Sequence, residues 1–236
     1  MAYFAFFGAI VGYNFVKYEA LVRAKKMQLK DNLKVITILS FLSLLAAGFY
    51  FFQLRSITQI VSVAVLILTL LYTLPCFPNR KNARNWAGVK IYIVALCWVG
   101  VTVVLPVLNA NIVITADFYS NCIQRFLLIF VLILIFEIID LNKDDPHLQT
   151  VPQQIGVKRT KILGYVILLI FIALEIFNNN INFTFNFQFL SLIFDIVIAI
   201  VIVLFLAFAN EKRSKYYTSF WVESVPILWW FMILIL

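Results

Sequence analysis

Eight long apolar segments, separated by short polar loops, constrain the fold of this 236-residue chain more than any other feature. A helix needs about 20 mostly apolar residues to cross the hydrocarbon core of a bilayer. The predicted segments cover residues 2–18, 35–54, 57–75, 88–108, 119–139, 161–177, 189–209 and 219–236. Only 13% of the residues are charged, whereas soluble domains carry about 25%. We therefore predict an all-α, polytopic membrane bundle of about eight transmembrane helices, forming a single domain over residues 1–236.

The basic residues alternate between loops and predict an orientation. Most of the 19 Lys and Arg residues fall in the loops after the first, third, fifth and seventh segments. Positively charged loops stay cytoplasmic, so we predict a cell-membrane protein with these loops inside and both termini outside. The net charge of +8 is then explained by contact with membrane lipids, and we expect no nucleic-acid partner.

Three carboxylates at the end of the fifth segment form the first candidate site. Glu137, Asp140 and Asp144 are spaced so that a continuing helix would direct all three to one face. Clustered carboxylates repel one another unless a cation lies among them, and Mg²⁺ prefers such oxygen ligands together with substrate phosphates. The pattern therefore indicates a Mg²⁺ and phosphate site on the cytoplasmic side. The alternative is a solvated helix end that simply accumulates charge.

A second group of polar residues lies at the inner end of the first segment. Asn14, Lys17 and Tyr18 come just before a basic loop. Lys17 has two interpretations: its side chain extends to the membrane interface, or it neutralises charge on a departing diphosphate. The loop cations as a group are more typical of topology and of contact with anionic lipid.

The residues after Asp140 carry a resemblance to a known family. Asp140 and Asp144 are followed by Thr150, Pro152 and Gly156. This pattern resembles the second Asp-rich motif of the UbiA superfamily of intramembrane prenyltransferases. In that family an Asp-x₃-Asp pattern is followed by a Thr-Leu-Pro-like step and a glycine that closes the loop.

Other positions agree with the family or depart from it. Tyr72 is similar to the tyrosine that ends an earlier helix, and Asn14 is similar to the Asn that opens the first motif. The two aspartates that should follow are replaced by Tyr18 and Val22, so the first acidic motif is degraded. The family usually has nine helices, one more than the eight segments counted here.

The resemblance implies an enzyme that transfers an isoprenyl group from a polyprenyl diphosphate to a lipid-soluble or aromatic acceptor. It implies Mg²⁺ on Asp140 and Asp144, which would be the catalytic residues, with Glu137 as a further candidate ligand. The substrate-binding residues that it implies are Asn14, Lys17, Tyr18, Tyr72, Lys143 and Thr150. The alternative is a catalytically impaired protein of the same fold that binds a lipid or a membrane partner.

Two other classes are disfavoured by the sequence. A transporter would place ionisable groups near the midplane on broken helices. No segment is evidently interrupted there by Gly or Pro, and Glu175 and Asp195 are expected near the outer ends of their helices, with Glu223 near an inner end. The Asp-x₂-Asp-Gly-x₂-Ala-Arg signature of CDP-alcohol phosphotransferases is absent. His147 is expected to be an exposed loop residue and not part of a catalytic dyad.

Overall fold

A computed structural model describes residues 1–23, 31–74, 88–144, 148–178, 187–214 and 216–235. Over these ranges the chain is helical and contains no β-strand. The α-helices are α1 (Ala2–Arg23), α2 (Asp31–Phe51), α3 (Ser56–Thr73), α4 (Val89–Val99), α5 (Leu105–Ala110), α6 (Ala116–Asp140), α7 (Val151–Ile155), α8 (Val157–Asn178), α9 (Phe187–Phe208) and α10 (Val225–Ile235). The prediction of an all-α chain with membrane helices is therefore confirmed.

Six helical stretches in the described ranges are long and apolar enough to cross a membrane. They are Lys34–Phe51, Ser56–Thr73, Val89–Ala110, Ala116–Asp140, Val157–Phe177 and Phe189–Phe208. The first and last predicted segments are also helical but do not belong to this set. The sequence of α1 includes the polar residues Asn14, Lys17 and Glu19 in its second half, and α10 has only 11 residues. The structure thus supports six spans, and the predicted orientation stays a prediction.

The fourth predicted segment is not a regular α-helix throughout. Residues Gly100–Val104 form a π-helical stretch between α4 and α5. A π segment widens the helix locally and changes which residues face a neighbour. The helix nevertheless runs without a break over Val89–Ala110. A second π-helical stretch, Tyr217–Val222, precedes α10.

The helices divide into two compact units. Unit 1 comprises Met1–Arg84 and Cys97–Val113, and unit 2 comprises Asn85–Leu96 and Ile114–Leu236. The single domain predicted over residues 1–236 stays a prediction.

In unit 1, α1 packs along α2, and α3 packs against α5 and the first π segment. Tyr50 of α2 stacks on Tyr3 and Phe7 of α1, with ring centroids 5.2 and 6.2 Å apart. A Cβ atom on Gly100 would meet the Val65 side chain at 2.8 Å. The glycine therefore lets α3 and the π segment approach closely.

In unit 2, α6 is the central helix and packs against α7, α8 and α9. Its apolar side chains form most of one continuous core with those of α8 and α9. Gly164 of α8 lies against Leu206 of α9 and Val131 of α6, where a Cβ atom would be 2.5 Å from the Leu206 side chain. This packing fixes the position of the end of α6 at which the predicted carboxylates lie.

Candidate functional site

The chain continues in a helical turn past the end of α6. The backbone N–H groups of Lys143 and Asp144 both donate to the Asp140 carbonyl, at 2.8 and 2.9 Å. Residues four positions apart on a helical turn lie one above the other. Asp140 and Asp144 therefore project from successive turns, as the spacing predicts.

Each of these two aspartates lies near a lysine. Lys143 Nζ is 3.0 Å from Asp140 Oδ1, and both side chains are well exposed, at 47% and 38%. Lys90 Nζ is 3.9 Å from Asp144 Oδ2, and these side chains are only 22% and 20% exposed. An exposed pair contributes little to stability because solvent screens it. The Lys90–Asp144 pair is the more shielded of the two from solvent, and its N–O distance is the longer.

One oxygen at this end of α6 is not satisfied. Asp144 Oδ2 is buried and has no hydrogen-bond partner among the described residues, although Lys90 lies at ion-pair distance. A buried carboxylate oxygen without a hydrogen bond is costly. It is also a position at which a bound cation or a donor group would be stabilised.

Glu137 is directed elsewhere. Glu137 is buried, with only 2% of the residue exposed. Its Oε2 accepts a hydrogen bond from the backbone N–H of Val151 at 3.1 Å. The bond ties α6 to the first residue of α7. The structure thus gives Glu137 a partner of its own, which the spacing of the carboxylates did not indicate.

Thr150 and Gly156, two of the residues that carry the family resemblance, determine the backbone path between α6 and α8. Thr150 is the N-cap residue of α7, and its backbone N–H donates to Gln153 Oε1 at 2.9 Å. This hydrogen bond between the N-cap residue and the third residue of the helix is one of the two that make up a capping box. Gly156 then separates α7 from α8 at φ +79° and ψ 155°, a conformation that only glycine adopts easily. Thr150 is buried, which places it in the framework of the loop.

Unit 1 contains the other predicted residues. Lys17 and Tyr72 line an open cleft of about 350 Å³ together with Tyr13 and Val16. The Lys17 ammonium lies 3.2 Å from the Tyr13 hydroxyl and 5.0 and 5.5 Å from the ring centroids of Tyr13 and Tyr18. The cleft therefore combines one cation with phenol groups, a lining suited to an anionic or aromatic group.

Asn14 does not line this cleft. Its Nδ2 donates to Ser40 Oγ of α2 at 2.8 Å, so it links two helices of unit 1. The structure therefore brings Lys17, Tyr18 and Tyr13 together and directs Asn14 to a neighbouring helix.

The carboxylates at the end of α6 meet only part of what a metal ion requires. In the part of the chain that the structure describes, no three His, Cys, Asp or Glu side chains are grouped so that they could hold a metal. Mg²⁺, however, is commonly held by one or two carboxylates plus the phosphates of its substrate. The Asp140–Asp144 pair, with its unsatisfied oxygen, fits that smaller requirement. Asp145, His147 and seven of the predicted loop cations lie outside the described residues: Lys25, Lys26, Lys30, Arg80, Lys81, Arg84 and Lys215.

Sequence reasoning missed a second polar cluster inside unit 2. Gln124 of α6 donates to Glu175 of α8 at 2.7 Å, and Asp195 of α9 interacts with both Glu175 and Arg125. Asp195 lies about 12 Å from the first residue of α9 by helical rise, and its expected place near an outer end stays a prediction. The signal that could have found this cluster is a charge within very apolar runs, since ionisable residues at membrane depth tend to be functional.

No family model matches the sequence, and comparison with curated proteins and with solved structures found no similar chain.

Proposed function

We propose that this chain is a UbiA-like membrane prenyltransferase that uses an isoprenyl diphosphate. The observation that carries the proposal is the arrangement at the end of α6. Asp140 and Asp144 lie on successive turns, each has a lysine beside it, and one Asp144 oxygen is buried without a hydrogen bond in the described chain. Carboxylates and cations side by side are what a metal-bound diphosphate needs.

Mg²⁺ would be held by Asp140 and Asp144, and when bound it would neutralise charge on the diphosphate. Lys143 and Lys90 lie beside these carboxylates and would contact the phosphate oxygens. Fixed cations stabilise the charge that develops on a leaving group. Glu137 supports this site indirectly by holding Val151.

The positive-loop pattern supports the proposal that this end of α6 faces the cytoplasm, where a soluble diphosphate product could leave. The acceptor would be a lipid-soluble or aromatic molecule. Taken by itself, the cleft that Lys17, Tyr13 and Tyr72 line in unit 1 is a candidate surface for an anionic or an aromatic group, because an ammonium attracts anions and aromatic faces bind apolar groups.

A second candidate function is binding of a lipid or membrane partner without catalysis. The exposed Asp140 already has Lys143 as its counter-ion at 3.0 Å, so it is stable without a metal. Tyr18 occupies a position at which the resemblance would require an aspartate, and its ring lies near Lys17. Both observations favour a site that holds a phosphorylated lipid without completing the transfer.

The test uses purified full-length protein incubated with geranylgeranyl or farnesyl diphosphate, with and without Mg²⁺. Diphosphate release and binding of the intact lipid are measured separately. The enzyme proposal expects Mg²⁺-dependent release that is lost in Asp140→Asn and Asp144→Asn. Asp117→Asn, at the opposite end of α6, is the matched control and should keep activity.

The outcomes separate the two candidates. Binding that needs Asp140 and Asp144 but gives no release, with aromatic and lipid-soluble acceptors supplied, supports the non-catalytic protein. Release that is indifferent to Mg²⁺ and to both substitutions contradicts a role for this end of α6. Absence of binding contradicts both candidates.

A further inference from the structure

The C-terminal end of α9 in unit 2 combines basic residues with exposed apolar side chains. We call this region the α9 lipid surface. Its members are Lys161 of α8, Ile200, Leu204 and Phe208 of α9, and Lys212 and Arg213 of the loop that follows α9. None of these residues belongs to the proposed diphosphate site, so the inference below does not rest on the prenyltransferase proposal.

Two basic side chains bind the last turn of α9. The final carbonyl groups of a helix have no partner within the helix. Lys161 Nζ donates a hydrogen bond to the Ala207 carbonyl at 2.7 Å, and Arg213 Nε donates one to the Phe208 carbonyl at 3.1 Å. The first turns of α8 and the loop after α9 are therefore held against the same helix end.

These contacts change the sign of the charge at this end. The C-terminus of a helix carries a partial negative charge, which would repel a phosphate. A carbonyl group does not cancel the charge of an ammonium or a guanidinium, so Lys161 and Arg213 bring two positive charges here. Lys212 adds a third on an exposed side chain, and the exposed Glu211 offsets one of the three. The result is a surface with a net positive charge.

An exposed apolar stripe leads along α9 to the basic end. Ile200, Leu204 and Phe208 are spaced four residues apart and therefore lie on one face of the helix. Half or more of each residue is exposed. The apolar stretch of α9 that is long enough to cross a membrane ends at Phe208. The stripe is thus a surface for hydrocarbon, and the cations directly beyond it lie where lipid headgroups begin.

Aromatic side chains follow the cations along the chain. Tyr216, Phe220 and Trp221 are all exposed, and the Arg213 guanidinium lies 5.4 Å from the centroid of the Tyr217 ring. Tyr and Trp are enriched at the boundary between membrane and water because they have an apolar body and a polar group. Their presence supports a position of this loop at the level of the headgroups.

We propose that the α9 lipid surface binds an anionic phospholipid of the surrounding leaflet. An acyl chain lies along the stripe of Ile200, Leu204 and Phe208, and Lys212 and Arg213 contact the phosphate and the further negative charge of the headgroup. Cations just outside a membrane-spanning helix attract anionic headgroups. A soluble phosphate would meet the same cations but would leave the apolar stripe uncovered, so the surface fits a lipid.

The test is native mass spectrometry of the purified full-length protein, titrated in detergent with dioleoylphosphatidylglycerol or dioleoylphosphatidylcholine. The two lipids share their acyl chains, so a difference in affinity comes from the headgroup. The wild type should bind the phosphatidylglycerol more tightly. Lys212→Gln should reduce this preference roughly fivefold, the effect of one cation near an anionic headgroup, and Lys212→Arg should keep it.

Arg55→Gln is the matched control. Arg55 is an exposed cation of unit 1 in the loop after α2, so this substitution removes the same charge, and its lipid preference should match the wild type. Lys212→Gln should not disturb the fold, because the side chain is exposed and the residue is bonded through its backbone N–H, to Asn210 Oδ1 at 3.0 Å. Equal affinity for the two lipids in the wild type, or equal losses in Lys212→Gln and Arg55→Gln, overturns the proposal.

A second measurement separates a lipid from a soluble anion. Glycerol 3-phosphate carries a phosphate ester without acyl chains, so it should not displace bound phosphatidylglycerol at equal concentration. Leu204→Asn places a polar amide in the apolar stripe and should weaken the binding of both lipids. Displacement by glycerol 3-phosphate, or unchanged binding in Leu204→Asn, would show that the cations alone form the site and would contradict the proposed lipid.

Discussion

Glu137 Oε2 accepts the backbone N–H of Val151 at 3.1 Å and so joins the end of α6 to the start of α7. The first N–H groups of a helix have no partner within the helix. A buried carboxylate that accepts one of them orients the helix that follows. Glu137 therefore stabilises the junction between α6 and α7, independently of any ligand at this site.

Replacing Glu137 with Ala should destabilise the protein. The substitution leaves the Val151 N–H without its acceptor, and such a loss costs about 1–3 kcal/mol. Glu137→Gln keeps an acceptor oxygen and should lose less. The measurement is the thermal unfolding midpoint in detergent, followed by circular dichroism. A wild-type midpoint for Glu137→Ala would show that the bond to Val151 contributes nothing.

The same bond shows what sequence could predict at this site. The run of apolar residues placed α6 and its end because helix length and hydropathy are local properties. Spacing also placed Asp140 and Asp144 on successive turns, as observed. Spacing could not reveal that Glu137 turns to Val151, because the position of α7 depends on the capped turn at Thr150 and Gly156.

The polar cluster of Gln124, Arg125, Glu175 and Asp195 in unit 2 could not be predicted from the sequence for a different reason. Arg125, Glu175 and Asp195 are far apart in sequence, and each lies within an apolar run of its own helix. Tertiary packing decides which faces of different helices contact one another, and the pattern of residues along the sequence does not show this. For the same reason, the close approach of Gly164 to Leu206 could not be read from the sequence.

Lys90 should matter for binding if the proposed function is correct. It lies 3.9 Å from Asp144 in a partly shielded position. Lys90→Met should reduce the affinity for geranylgeranyl diphosphate roughly tenfold, which corresponds to about 1.4 kcal/mol. Lys90→Arg keeps the charge and should lose less. Affinity is measured by titration calorimetry in the presence of Mg²⁺.

A matched control for Lys90 exists on α8. Lys158 is exposed near the start of that helix, so Lys158→Met removes the same charge from the protein as a whole. Its affinity should match the wild type. If both substitutions weaken binding equally, the effect comes from net charge and not from the position of Lys90.

Substitution of Gly156 should destabilise the protein. Its φ of +79° with ψ of 155° is a conformation that costs other residues about 1–3 kcal/mol. Gly156→Ala should therefore lower the free energy of unfolding by an amount in that range, although no atom lies within 4 Å of the added Cβ. Denaturant titration of the purified protein measures the change.

Gly8 provides the comparison for Gly156. It also has no atom within 4 Å of an added Cβ, and it lies within α1. Alanine is favoured over glycine inside a helix by up to about 1 kcal/mol, so Gly8→Ala should be neutral or stabilising. Similar losses at both glycines would contradict the backbone explanation.

Substitution of Lys17 distinguishes its two interpretations, extension to the membrane interface or neutralisation of a diphosphate. Its ammonium lies 3.2 Å from the Tyr13 hydroxyl, at the edge of the cleft shared with Tyr72. Exposed cation–π contacts contribute only about 0.5–1 kcal/mol, so Lys17→Met should change the unfolding midpoint little. If the cleft holds an anionic headgroup, the same substitution should weaken binding of geranylgeranyl diphosphate, and Lys17→Arg should preserve most of it. Unchanged affinity in Lys17→Met would mean that the lysine only extends toward the membrane interface.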